Sequence, residues 1–229
     1  MRFGITVRGA APALLGLVLL LAWDGSGLDM TLAQAFGGAQ GFPARHDPFL
    51  VRVLHDGAKA LAWALTVLLC LGLGWPLGPL GRLPFRRRLQ LVLTALLAWG
   101  SVALIKSGSH TSCPWDLQAF GGVARHVSHW SGWLHGDGGG GRCFPAGHAT
   151  TGFAFVGGYF ALRGTWPAAA RRWLAAALGV GLLLGLSQQL RGAHFMSHTL
   201  WTAWICWTVA WLSDPLFAPG HGVVAQVAP

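Results

Sequence analysis

WLAAALGVGLLLGLSQQL (Trp173–Leu190) runs directly into RGAHFMSH (Arg191–His198), so an uncharged apolar stretch ends on an arginine and two histidines. A stretch of that length without a charge is enough to cross a hydrocarbon core as a helix. The polar run that follows then sits at a bilayer surface. Working outward, similar apolar stretches recur at Ala10–Trp23, Ala60–Leu77, Leu89–Ile105, Ala149–Leu162 and Phe195–Leu212. The first and fourth are short, and fit a bilayer by tilt or by snorkelling of Arg8 and Arg163. Composition agrees: the 229 residues are 53% hydrophobic and 10% charged, with no glutamate and a mean hydropathy of +0.51. These features exclude an ordinary soluble domain. The expected fold class is all-α, a polytopic membrane bundle of six transmembrane helices. It forms a single domain over residues 1–213, with its motif-bearing core at about 100–213 and a loose tail over 214–229.

The net charge of +9 raises the question of a nucleic-acid partner. Topology accounts for it instead. With a cytoplasmic N-terminus, the inside segments hold Arg2, Arg8, Arg82, Arg86, Arg87, Arg88, Arg163, Arg171 and Arg172, with Asp214 as their one counter-charge. The outside segments are nearly balanced, as the positive-inside pattern requires. No nucleic acid is needed, and the expected surroundings are the bilayer of a cell inner (plasma) membrane. A cleaved leader ending near Ala33-Gln34-Ala35 is the alternative for the N-terminus, although that site lies far beyond the apolar run. Oligomeric state is left open.

Nine of the ten histidines then fall outside, among them His46, His55, His110, His126, His129 and His135. Only His221 lies inside. Imidazole is the side chain best suited to proton or nucleophile work near neutral pH, so the active face is expected to be extracytoplasmic, towards periplasm or exterior. Cys113 and Cys143 share the long outside loop, where the compartment permits a disulfide. Cys70 and Cys206 lie within spans as packing residues. The thirteen tryptophans cluster near span ends as an interfacial belt, with Trp115, Trp130 and Trp133 in the outside loop. The Gly136–Gly141 run lacks the Gly-Lys-Ser/Thr ending of a nucleotide loop and is expected to be flexible chain.

Three segments meet when this topology is folded up. Lys106 ends the third span, His148 starts the fourth and His194 starts the sixth, all at the outer face. Lys106, Arg191 and the amides following Gly147 are suited to an anion. Two imidazoles are then free to act as nucleophile and acid. Ionisable groups facing one another at span ends mark a site more often than a coincidence.

At these residues the chain resembles the type 2 phosphatidic acid phosphatase family, which shares its site with vanadium haloperoxidases. The family pattern reads Lys-x6-Arg-Pro, Pro-Ser-Gly-His and Ser-Arg-x5-His-x3-Asp. Here the parts read Lys106-x6-Cys113-Pro114, Pro145-Ala146-Gly147-His148 and Ser187-Gln188-x5-His194-x3-His198. The resemblance implies that His194 attacks phosphorus to form a phosphohistidine, that His148 protonates the leaving alcohol, and that Lys106 holds phosphoryl oxygens. It further implies a lipid phosphate substrate and no metal or other cofactor.

Four positions depart from the pattern: Cys113 and Gln188 replace arginines, Ala146 a serine, and His198 the aspartate that orients the nucleophile. Arg191 is placed to restore one lost cation and Arg142 the other. His198 reaches His194 from one helical turn away but carries no carboxylate, and Asp116 is a candidate substitute acid. Phosphotransfer to an acceptor other than water, or an inactive lipid-binding relative, remain alternatives. So does a metal-dependent hydrolase using His194 and His198, whose spacing suits a helical zinc pair, with His148 as third ligand.

Overall fold

The computed structural model describes residues 7–133 and 135–217. Arg2, His221 and the expected tail beyond Phe217 lie outside the described residues, as do the side chains of Arg8 and Trp133. Among the described residues regular structure is helical, apart from two isolated bridges, Gly38 with Gly41 and Leu117 with Ala124. The α-helices are α1 (Val7–Ser26), α2 (Leu28–Gln34), α3 (Ala58–Gly74), α4 (Phe85–Gly108), α5 (Thr150–Phe153), α6 (Gly157–Leu162), α7 (Pro167–Leu190) and α8 (Met196–Ser213). A 3-10 turn, Ala154–Val156, joins α5 to α6.

Local chemistry sets the ends. Asp47 Oδ1 accepts the Leu50 amide at 2.9 Å and Pro48 starts the helical path, as expected of an acidic cap followed by a ring that pre-sets φ. Trp75-Pro76 stops α3 because proline cannot continue the ladder. Pro167 opens α7 at its first turn. Gly192, at φ 73°, closes α7, with its amide bonded to the Gln189 carbonyl and the Ala193 amide to that of Gln188. This left-handed cap turns the chain back and delivers His194 to the end of α8.

The segment from Asp24 to Lys59, which lies between the first two apolar stretches, is largely helical. α2 packs there at 65° to α1. A π-helix, Phe49–Gly57, extends α3 at its N-terminus into one run of 26 residues, Phe49–Gly74. Apolar length alone missed it because Arg52, His55, Asp56 and Lys59 are polar yet helical.

Three helices are long and apolar enough to cross a membrane: Phe49–Gly74, Phe85–Gly108 and Pro167–Leu190. The bent pair Ala10–Ser26 and Leu28–Gln34 makes a fourth when the two are counted as one span. The other two expected spans differ for physical reasons. Thr150–Leu162 is shorter and lies almost wholly buried. α8 carries Trp201, Trp204, Trp207 and Trp211, which lower its hydropathy, and it packs against α1, α4, α5 and α7. These two form the centre of the bundle, with the longer helices around them.

Small residues permit that density. A Cβ on Gly152 would overlap the backbone of Gly181 on α7, and one on Gly185 would overlap Thr199 on α8. Close backbone approach of this kind is how helices associate where lipid removes the hydrophobic drive. At the opposite end of the bundle from His194, buried Asp214 receives Arg87 at 3.1 Å, Arg163 at 2.6 Å and Gln90 Nε2 at 2.8 Å, tying α4, α6 and α8 together.

Gly152→Ala is expected to lower the stability of the detergent-solubilised protein by about 1–3 kcal/mol, the usual cost of overpacking. Gly100→Ala, with nothing within 4 Å of the added carbon, is expected to be neutral or stabilising. Thermal midpoints of the two variants check this.

Candidate active site

Lys106 ends α4, Gly147 and His148 precede α5, and Arg191 and His194 lie in the turn between α7 and α8. All five line one cavity of about 360 Å³ at the same end of the bundle. Arg142, Gln188 and the Cys113–Cys143 pair line it too. The two cysteines are disulfide-bonded, with Cα atoms 5.1 Å apart. The link fastens the segment after α4 to the segment before α5, and the Cys143 amide donates to the Thr111 carbonyl at 2.8 Å beside it.

Each group is held by identifiable partners. The Lys106 stem lies over Gly147, where a Cβ would come to 3.4 Å from Cδ. The Arg191 guanidinium donates to the Arg45 carbonyl and to Gln188 Oε1, both at 3.1 Å, and faces the Trp115 ring. Gln188, standing where the pattern has arginine, is thus the acceptor that steadies Arg191. Arg142, at φ 57°, has its amide bonded to the Ser109 carbonyl at 2.8 Å. Lys106, Arg142 and Arg191 therefore converge on a cavity from which both pattern arginines are missing.

His148 Nε2 lies 2.8 Å from the Leu54 carbonyl. A carbonyl only accepts, so Nε2 carries the hydrogen and Nδ1 the lone pair of the neutral ring. Burial is the main reason its pKa falls to about 4, with the nearby cations Arg191 and Lys59 adding to it. His194 is pushed well below the usual imidazole range, first by burial and then by Lys106 and His198. Both rings are accordingly neutral at pH 7 in this cavity.

Three expectations are placed differently. His198 does not line this cavity. It stands behind His194, ring centres 5.8 Å apart, and lines a second cavity of about 100 Å³ with Asp24, His126 and His129. Asp116 lines neither cavity; its carboxylate accepts the indole N–H of Trp115 at 3.1 Å. The glycine run from Gly136 is folded tightly around buried Asp137, which accepts the Ser112 amide at 2.6 Å, the Ser112 hydroxyl at 2.7 Å and the Gly139 amide at 3.0 Å. Of the outside-loop tryptophans, Trp115 lines the main cavity and Trp130 hydrogen-bonds Asp24. The Gly147 amides open only a four-residue α5 before the 3-10 turn, so the dipole contribution is that of a single turn.

Sequence reasoning missed His55 and Lys59. His55 stacks on His148 at 4.3 Å between ring centres, and Lys59, one turn on, reaches the same cavity. The available signal was Lys59 itself, a lone cation at the end of an apolar stretch, as Lys106 is. Among the described residues no three His, Cys or Asp side chains converge as a metal site requires.

Residues 87–217 match the PAP2 superfamily. No curated protein and no solved structure matches the chain. The matched region covers more than half of the sequence and contains all three motif segments from Lys106 to His198, so the chain belongs to the PAP2 superfamily.

Proposed function

We propose that this protein is an integral membrane phosphatase that cleaves a phosphomonoester or pyrophosphate of a lipid at the extracytoplasmic face, through a phosphohistidine on His194. Six membrane-crossing segments then carry the site, α8 and Thr150–Leu162 crossing inside the ring of longer helices. The observation that carries this proposal is the convergence of Lys106, His148, Arg191 and His194, from three separate segments, on one cavity.

The chemistry follows from the positions. Lys106, Arg191 and Arg142 bind the phosphoryl oxygens, and Lys59 adds a fourth cation from α3. Burial keeps His194 unprotonated, which a nucleophile requires. Its Nδ1 is fully enclosed, so Nε2 is the atom presented to phosphorus. As the N–P bond forms, the bond from phosphorus to the lipid oxygen breaks, and His148 Nδ1 takes the proton that a monoanionic substrate brings and passes it to that oxygen, while Nε2–H stays on the Leu54 carbonyl. Water then attacks the phosphohistidine, His148 takes its proton, and phosphate leaves.

The lipid part has a place of its own. An apolar cavity of about 220 Å³ between α3 and α7, walled by Leu61, Leu65, Phe155 and Val180, shares Thr151 with the polar cavity. A hydrocarbon chain seated there leaves its phosphate at His194.

Phosphate release from lipid phosphates by the purified protein in detergent, with EDTA present, is expected for wild type and lost in His194→Ala. Release that survives His194→Ala, or that EDTA abolishes, overturns the mechanism, and binding without turnover indicates the inactive relative. Because His148 enters neutral, its proton must arrive with a monoanionic substrate. kcat/KM is therefore expected to fall about tenfold per pH unit above the phosphate's second pKa of about 6. His148→Ala is expected to lower kcat/KM, which reports the phosphohistidine-forming step, about 10²–10⁴-fold on an alkyl phosphate and far less on an aryl phosphate, whose leaving group needs no proton. Ala176→Phe, on the wall of the apolar cavity, is expected to lower kcat/KM about tenfold for a long-chain lipid phosphate and to spare a short-chain one.

A further inference from the structure

The second cavity raises a question that the phosphatase chemistry leaves unanswered: what supplies the negative charge behind His194 when position 198 is histidine. His198 lines the second cavity and stands between His194, which lines the main cavity, and His129. Its ring centre lies 5.8 Å from that of His194 on one side and 6.0 Å from that of His129 on the other. It is 1% exposed. The backbone carbonyl of Cys143 faces the rings of both His194 and His198 without closing a well-aligned hydrogen bond to either Nδ1. Buried nitrogens left in this state are costly, and a folded protein that keeps them calls for an explanation.

His129 is held by stacking: its ring lies on Phe144 at 4.1 Å and 7°, and its Nε2 lies 3.2 Å from Asp24 Oδ2, within ion-pair distance but without hydrogen-bond alignment. That carboxylate is nearly buried, and the same oxygen accepts the indole N–H groups of Trp130 and Trp201, each at 3.0 Å. Asp24 Oδ1 is enclosed and without a partner among the described residues. Asp29, the other carboxylate of this cavity, is committed elsewhere: its Oδ1 accepts the Ser197 amide at the start of α8 at 3.0 Å and the Trp23 indole at 2.9 Å. Asp24 is therefore the carboxylate aimed at the histidine chain, and it comes from α1, outside the region matched to the family.

We propose that Asp24, acting through His129 and His198, is the displaced counter-charge of the nucleophile, so that these three are positioning residues for His194. The proposal rests on the phosphohistidine reaction above. When His194 bonds to phosphorus and the lipid oxygen leaves with the proton of His148, positive charge appears on the His194 ring. His198 fixes the orientation of that ring, and Asp24 stabilises the charge across His129 and His198. The cavity they line, about 100 Å³, carries the Asp24 and Asp29 carboxylates beside the histidines and is large enough for water to bridge the gaps between rings.

The test is a double-mutant cycle on kcat and KM for the best lipid phosphate. Asp24→Asn keeps an oxygen for Trp130 and Trp201 but removes the charge. It is expected to lower kcat about tenfold, as one unit charge across two rings can, with KM within about twofold. His198→Asp places a carboxylate next to His194; in that background Asp24→Asn is expected to cost less than about twofold. An equal loss in both backgrounds, or a change in KM alone, overturns the proposal and makes Asp24 a structural anchor of α1. If Asp24→Asn does not fold, His129→Asn breaks the same chain while leaving Asp24 and its indoles, with the same expected and overturning results. Wild-type release that is indifferent to His194→Ala fails the phosphohistidine reaction itself, a result independent of Asp24.

Discussion

How closely Thr150–Leu162 can lie against α7 governs the rest of the molecule. Gly152 and Gly181 allow the two backbones to touch, and Phe153 fills the space over Gly181. That contact sets the height of His148, which immediately precedes the short helix. Gly185 does the same for α8 through Thr199, and so sets the height of His194 relative to α7. Two histidines far apart in sequence therefore share a cavity because small residues let three helices pack at backbone distance. In a bilayer no gain from excluding water compensates for a looser fit.

Around this fixed pair the cations have been redistributed. Neither arginine of the family pattern is present, yet the cavity is ringed by Lys59, Lys106, Arg142 and Arg191. Two of these are held by unusual backbone: Arg142 sits at positive φ, and Lys59 follows a π-helix whose Leu54 carbonyl also fixes the His148 tautomer. Wide helical turns recur at functional sites because they free carbonyls and re-aim side chains. The disulfide and the knot around Asp137 hold the loop that carries Arg142. The cations of the cavity thus come from segments that an apolar-length criterion reads as featureless loop.

The histidines show how far sequence reading reaches. Their clustering in the segments between apolar stretches was visible, as was the placing of Lys106, His148 and His194 at the ends of such stretches. Their division into two groups was not. His55, His148 and His194 line one cavity, while His126, His129 and His198 line the other. Spacing put His198 within a turn of His194, but spacing cannot say which side of the ring it occupies. The glycine run misled for a similar reason, since low complexity looks flexible until a carboxylate such as Asp137 collects the hydrogen bonds.

By itself the sequence determined an all-helical, membrane-length architecture and the motif segments of the superfamily, because apolar length and residue order are local properties of the chain. It also determined which residues have the chemistry to bind an anion and move a proton. Only the tertiary structure decided that Thr150–Leu162 and α8 are the packed centre, that Gln188 supports Arg191, that His55 and Lys59 join the site, and that Asp24 faces the histidines behind His194. These are contacts between residues far apart in the chain. They depend on the depth and rotation at which whole helices pack, which backbone approach at a few glycines sets and no local pattern encodes.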